Sequence, residues 1–180
     1  IKAMENYGWR VGTGFLSTPL ILDVLADIDV EYAYKLLENE EMPGWLFMPK
    51  IGATTIWESW EGTQAQGGIA SLDHYSKGAV CEWLFSRMCG ITVAGENKFR
   101  IAPLSGGRFT FAKTSYNSVY GKIESGWEKE GNGYKFAVTV RGVEFFKAQE
   151  RFVRSPIAAE EVGTASADAG HPFLHAFGYA

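Results

Sequence analysis

The stretch from Gly52 to Gly62, read Gly-Ala-Thr-Thr-Ile-Trp-Glu-Ser-Trp-Glu-Gly, concentrates the residue types that could do chemistry in this chain. Glu58 stands between Trp57 and Trp60, and Glu61 adds a second carboxylate three positions on. The apolar face of a sugar ring stacks on an indole, and cleavage of a glycosidic bond uses carboxylates as acid and as base or nucleophile. The plainer use of such a stretch is a pair of core tryptophans beside a solvated glutamate, and composition alone favours that use.

The elements that must hold this stretch are helical on both sides of it. Thr18-Pro19 is a helix start, with Thr18 as N-cap and Pro19 in the first turn. Leu20, Ile21, Val24, Leu25 and Ile28 follow at helical spacing as one apolar stripe. Asp29 can cap a second helix carrying Ala33, Leu36 and Leu37. Residues 61 to 71, rich in Gly, Gln and Thr, read as a loop. Asp73 can cap a third helix, with Tyr75, Ala79, Val80, Trp83, Leu84 and Met88 as its buried face.

After Gly90 the pattern changes to alternation and β-forming residues. Phe99–Ile101, Phe109–Phe111, Lys122–Glu124 and Tyr134–Val140 read as strands. Gly106-Gly107, Asn117-Ser118 and Gly131-Asn132-Gly133 read as turns between them. The change falls near residues 91 to 97. The domains expected are 1–92, helical, and 93–145, an antiparallel sheet or part of a sandwich. A tail from 146 to 180 carries no readable pattern.

Composition narrows the function further. With 46% hydrophobic and 14% aromatic residues, the chain can build a sizeable core. A net charge of -4 and the lack of Lys/Arg runs argue against a nucleic-acid partner. No apolar run reaches the length of a membrane-spanning helix, so no membrane partner is expected. Cys81 and Cys89 are eight residues apart on one helix, about 12 Å, too far for a disulfide. They read as free thiols packed as small hydrophobes. The three histidines lack partners at ligand spacing, so no metal site is expected. The chain begins with Ile1, which reads as an internal cut point and leaves the compartment undetermined.

Three segments together resemble the bacterial α-L-rhamnosidases, glycoside hydrolase family 78. Gly52–Gly62 is similar to that family's Gly-Ala-Thr-Thr-Ile-Trp-Glu-Arg-Trp-Asp-Gly. Residues 12 to 20, Gly-Thr-Gly-Phe-Leu-Ser-Thr-Pro-Leu, are similar to its Thr-Gly-Phe-Leu-Gly-Thr-Pro. Residues 72 to 84, Leu-Asp-His-Tyr-Ser-Lys-Gly-Ala-Val-Cys-Glu-Trp-Leu, are similar to its Phe-Asn-His-Tyr-Ala-Phe-Gly-Ser-Val-Gly-Glu-Trp-Leu. The segments keep the family's order and cover, with the β half, about residues 7 to 140. From Arg141 the resemblance is lost.

The resemblance implies an α+β multidomain architecture: the C-terminal helices of an (α/α)6 barrel followed by a partial antiparallel β-sandwich domain. It implies an inverting hydrolase that releases terminal α-L-rhamnose from a glycoside or polysaccharide with water and no cofactor. On it, Glu58 matches the catalytic general base, ionised at neutral pH and hydrogen-bonded to a water. His74 matches the residue that binds the sugar. Trp57 is a substrate-binding residue or a buttress of the loop, and Trp60 a packing residue. Asp73 stands where the family commonly has Asn. Lys77 stands where it has Phe, at helical spacing for a pair with Asp73.

The family's general acid lies in an earlier Asp-Glu-Arg motif that has no counterpart in these residues. The chain therefore reads as a C-terminal fragment holding the base without the acid. Its partner would be the missing N-terminal part of the same polypeptide, and alone it would be inactive. A non-catalytic carbohydrate-binding or scaffold module is the competing reading, in which the aromatics stack on sugar and no bond is cut.

Overall fold

The computed structural model describes residues 1–96, 98–141 and 144–147. The described residues divide into two compact units, one of Ile1–Trp83 with Gly106–Arg108, the other of Leu84–Ser105 with the described residues from Phe109 on.

The first unit is helical. It contains α1 (Lys2–Asn6), α2 (Ile21–Ile28), α3 (Val30–Leu37), α4 (Phe47–Lys50), α5 (Tyr75–Gly78) and α6 (Val80–Trp83). Between α2 and α3 the backbone of Asp29 is extended, and its side chain accepts a 2.9 Å hydrogen bond from Glu31 N–H. That is the cap expected from sequence, and it folds α3 back on α2 as a helical hairpin. Leu22, Leu25, Ala26, Ala33, Tyr34, Leu36 and Leu37 of the two helices are buried. Gly106–Arg108 returns to this hairpin, where Arg108 binds the Glu38 carboxylate and the Glu38 carbonyl.

Two expectations for this region are corrected. Thr18 is not an N-cap: it is the first residue of a 3-10 turn, Thr18–Leu20, and its hydroxyl bonds back to the Gly14 carbonyl at 2.9 Å. Nor does the apolar stripe of α2 coincide with its buried side. Leu20, Val24 and Ile28 are 60, 54 and 57% exposed, while Leu22, Leu25 and Ala26 lie inside. The helix is apolar on more than one side, so spacing alone does not choose the side that packs on α3.

The run after His74 is nearly continuous helix from Tyr75 to Met88, but its last turn widens to a π-type turn, Leu84–Met88, closed by Cys89 N–H to the Leu84 carbonyl. Val80, Trp83 and Met88 are buried as expected, whereas Tyr75 is 82% exposed and stacks on His74 instead. Cys89 is buried and Cys81 exposed, so only the first packs as a small hydrophobe.

The second unit carries β1 (Ile91–Gly95), β2 (Lys98–Ile101), β3 (Phe111–Ser118), β4 (Gly121–Glu130), β5 (Gly133–Arg141) and β6 (Glu144–Lys147). One sheet has the order β1-β2-β6, with β1 antiparallel and β6 parallel to β2. The other is an antiparallel meander, β3-β4-β5. Ile91 and Phe99 of the first sheet share a core with Ile123 of the second, flanked by Ile101 and Val140. The first hairpin turns at Val119-Tyr120, two residues later than Asn117-Ser118 suggested. Ser118 ends its strand and its hydroxyl accepts from Tyr120 and Gly121 N–H, both at 3.1 Å. The turn at Gly131 lies where it was expected. The predicted tail lies, beyond Lys147, outside the described residues.

The meander is tied to the end of the helical run. Ser125 Oγ donates to the Cys89 carbonyl at 2.6 Å, and Trp127 Nε1 donates to the Met88 carbonyl at 2.9 Å. These two side chains serve carbonyls that a helix C-terminus leaves without intrahelical partners. Gly90, at φ +80°, makes the exit possible: a Cβ there would stand 2.1 Å from the Pro103 nitrogen.

Candidate functional site

Gly52–Gly62 is not a regular element; it is a loop seated on the helices by its own backbone and side chains. Trp57 is 4% exposed, and its N–H lies 3.4 Å from the Met48 sulfur. Burying that indole pins the loop from inside and leaves its neighbour Glu58 half-buried at the surface.

Every polar group of Glu58 but one is committed. Its N–H donates to the Ser71 carbonyl at 2.9 Å, and Ser71 N–H donates back to Oε2 at 3.0 Å. Its own carbonyl accepts from Lys77 Nζ. Oε1 has no protein partner among the described residues.

His74 is brought to the same place by backbone pairing: its N–H donates to the Ile56 carbonyl at 2.9 Å. Thr55 Oγ1 also donates to the Leu72 carbonyl. The two predicted residues therefore sit on adjacent segments, 55–58 and 71–74, that run side by side. The joint is absent from any periodicity in the sequence, because neither segment is a regular strand.

The cap of the following helix differs from expectation. Asp73 is exposed, and the N-cap of α5 is His74, whose Nδ1 accepts from Ser76 N–H at 3.3 Å and lies 2.9 Å from Ser76 Oγ. An Nδ1 that accepts a backbone N–H places the proton of the neutral ring on Nε2. The ring is packed between Phe15 (5.2 Å) and Tyr75 (4.9 Å).

Lys77 turns away from Asp73, the partner its spacing suggested. It is 4% exposed, with its ammonium 4.7 Å from the centre of the Trp60 ring and 5.1 Å from that of Phe15. Burial pushes its pKa below the usual lysine range, against the opposing pull of Glu58 and Glu61. Helical spacing suggested only a pair with Asp73; the sequence signal for a buried setting is a lysine placed where the resemblance has Phe. Trp60 packs its indole at right angles to Trp45 as well as under Lys77.

Two open grooves lie away from these residues. One, about 550 Å³, runs over β3–β5 and is lined by Lys113, Glu124, Gly126, Glu128, Lys135 and Thr139. The other, about 400 Å³, lies beside Arg108 and Glu38. Among the described residues no group of His, Cys, Asp and Glu could hold a metal ion, and no helix is long and apolar enough to cross a membrane.

A half-buried carboxylate and a capping imidazole on paired loops fit many proteins, and comparison with known sequences separates them. Residues 1–88 match the family model of the bacterial alpha-L-rhamnosidase 6 hairpin glycosidase domain, and residues 92–141 that of the bacterial alpha-L-rhamnosidase C-terminal domain. The chain belongs to the bacterial α-L-rhamnosidase family. Its architecture is accordingly part of a six-hairpin glycosidase domain followed by the C-terminal β domain.

An α-L-rhamnosidase of Streptomyces avermitilis is 33% identical over 148 residues, 78% of this chain. One of Formosa agariphila is 41% identical over 124 residues, 64% of this chain. The chain spans only 14% and 13% of the length of these two curated relatives. Among solved structures, the S. avermitilis α-L-rhamnosidase complexed with L-rhamnose superposes with a TM-score of 0.74 at 27% identity, over 98% of this chain and 18% of that one. The α-L-rhamnosidase from Dictyoglumus thermophilum superposes at 0.70 and 29% identity, over 84% of this chain and 18% of that one.

Proposed function

We propose that this chain carries the base side of the active site of an inverting α-L-rhamnosidase, with the general acid on a preceding segment of the same polypeptide. The observation that carries the reading is the state of Glu58. Ser71 N–H holds Oε2, the loop backbone is fixed on both sides, and Oε1 is left open. A general base needs that combination: a carboxylate oriented by one oxygen and free to receive a proton through the other. In the reaction, a water gives its proton to Oε1 and its oxygen attacks the anomeric carbon. The acid protonates the departing glycosidic oxygen on the opposite face. Water suffices, and no cofactor is needed.

His74 is the sugar-binding residue in this reading, with Nε2–H as donor to a rhamnose hydroxyl. The S. avermitilis relative was solved with L-rhamnose, and that sugar is the one proposed here, at the end of a glycoside or polysaccharide. Trp57 serves as the buttress of the loop, since a ring 4% exposed has little face left for stacking on sugar. The remaining wall of the pocket comes from preceding helices of the barrel, which would also cover the exposed stripe of Leu20, Val24 and Ile28.

The test is hydrolysis of an aryl α-L-rhamnoside by the longer polypeptide carrying this chain. Glu58→Gln should lower kcat by about three orders of magnitude or more with the fold intact. Normal turnover by that variant removes Glu58 from the reaction, and binding of rhamnose without turnover by the unaltered polypeptide favours the carbohydrate-binding module instead.

A further inference from the structure

A lysine that is 4% exposed is destabilising unless its charge and its donors are met, because burial strips the ammonium of water. Lys77 meets them at one place. Its ammonium donates to the Glu58 main-chain carbonyl and lies over the faces of Trp60 and Phe15. Such faces attract a desolvated cation. The carboxylates of Glu58 and Glu61 supply the facing negative charge. The root of the side chain is fixed too, since the Lys77 carbonyl accepts Trp45 Nε1–H at 3.0 Å. One side chain thus joins α5, the Glu58 loop and the segment around Phe15. Phe15 in turn touches His74.

We propose that Lys77 is a positioning residue for Glu58: by holding the Glu58 main-chain carbonyl it fixes the loop that carries the base. The proposal rests on the reading of Glu58 as general base. A neutral side chain of similar length would fill the same slot without the donor or the charge, which separates position from packing. The charged and titratable groups around Lys77 are Glu58 and Glu61 on the loop and His74 at the head of its own helix; Phe15 and Trp60 contribute only rings.

The experiment compares Lys77→Met, Lys77→Gln and Glu58→Gln in the longer polypeptide, by kcat and KM on an aryl α-L-rhamnoside. Lys77→Met should lower kcat by about 10- to 100-fold with KM changed far less, the scale expected when a reacting group is displaced by about 1 Å. Lys77→Gln keeps a donor for the Glu58 carbonyl without the charge. It should recover part of kcat, and it carries the test alone if the Met variant does not fold. A parental kcat in a folded Lys77 variant, or a kcat and KM that fall together without rescue by Gln, beside a dead Glu58→Gln, overturns the positioning role while leaving the base in place. A fully active Glu58→Gln overturns the base and this proposal with it.

Discussion

Gly62 lies against the six-membered ring of Trp57 so closely that a Cβ on it would stand 1.8 Å from Cε3 of that indole. The glycine also sits at φ +49°, a region costly for residues with a Cβ. The loop that carries Glu58 closes on this contact, with Gly62 N–H bonded to Ser59 Oγ at 3.1 Å.

Gly62→Ala should therefore be one of the more damaging small substitutions in the helical unit. Steric overlap and the αL backbone together should cost about 2–4 kcal/mol. A thermal melt of the purified chain measures it, and a loss below about 0.5 kcal/mol would mean that the loop does not close on Trp57.

His74 does two separable things in this account. Nδ1 caps α5, and in the proposed function Nε2–H serves the sugar. His74→Asn keeps an acceptor at the cap and should leave stability within about 0.5 kcal/mol of the parent, yet raise KM for an aryl rhamnoside in the longer polypeptide. His74→Ala should lose about 1 kcal/mol of stability as well. Melting curves and KM values for the two variants separate the roles; an unchanged KM in both would take His74 out of the sugar site.

The two thiols should behave differently. Cys81 is exposed, while burial pushes the Cys89 thiol up to about 11. A thiol reagent at pH 8 should label Cys81 fast and Cys89 only on unfolding. An acid whose native pKa is raised keeps its proton longer in the folded state than in the unfolded one. Stability should therefore fall as pH rises from the ordinary thiol range toward 11. Cys89→Ala should flatten that decline in urea titrations between pH 8 and 10.

Ser125 and Trp127 hold the β meander to the end of the helical run through two buried carbonyls. Ser125→Ala leaves the Cys89 carbonyl without that donor and should cost about 1–3 kcal/mol. Trp127→Phe removes the indole donor and part of the ring, and should cost about 2–4 kcal/mol. Denaturant unfolding of each variant gives the numbers, and near-neutral values would show that the carbonyls are served in another way.

The exposed stripe of Leu20, Val24 and Ile28 predicts opposite outcomes in two contexts. Val24→Lys with Ile28→Glu should reduce self-association of the isolated chain in sedimentation without lowering its melting temperature. In the longer polypeptide the same pair should lower the melting temperature by several degrees, since the proposed reading has preceding helices packed on the stripe. A pair that is harmless in both contexts would argue that nothing packs on this face.

Local chemistry was readable along the chain. Asp29 as a cap, the helices around it, the change to strands after Gly90 and the turn at Gly131 follow from short-range rules of capping, periodicity and turn residues. The match of three segments to one family is a property of residue order alone, and it singles out Glu58 and His74 without any contact.

Only the tertiary structure decided which side of each apolar element packs and what each buried polar group meets. The side of α2 that faces α3, the exposure of Tyr75 and the cap at His74 in place of Asp73 depend on residues distant in the chain. Lys77 shows this most clearly. Helical spacing offered it Asp73 at a solvated surface, where such a pair is worth a few tenths of a kcal/mol. The fold instead buries the Lys77 side chain against two ring faces and a main-chain carbonyl, where the attraction of a cation is larger because less solvent screens it.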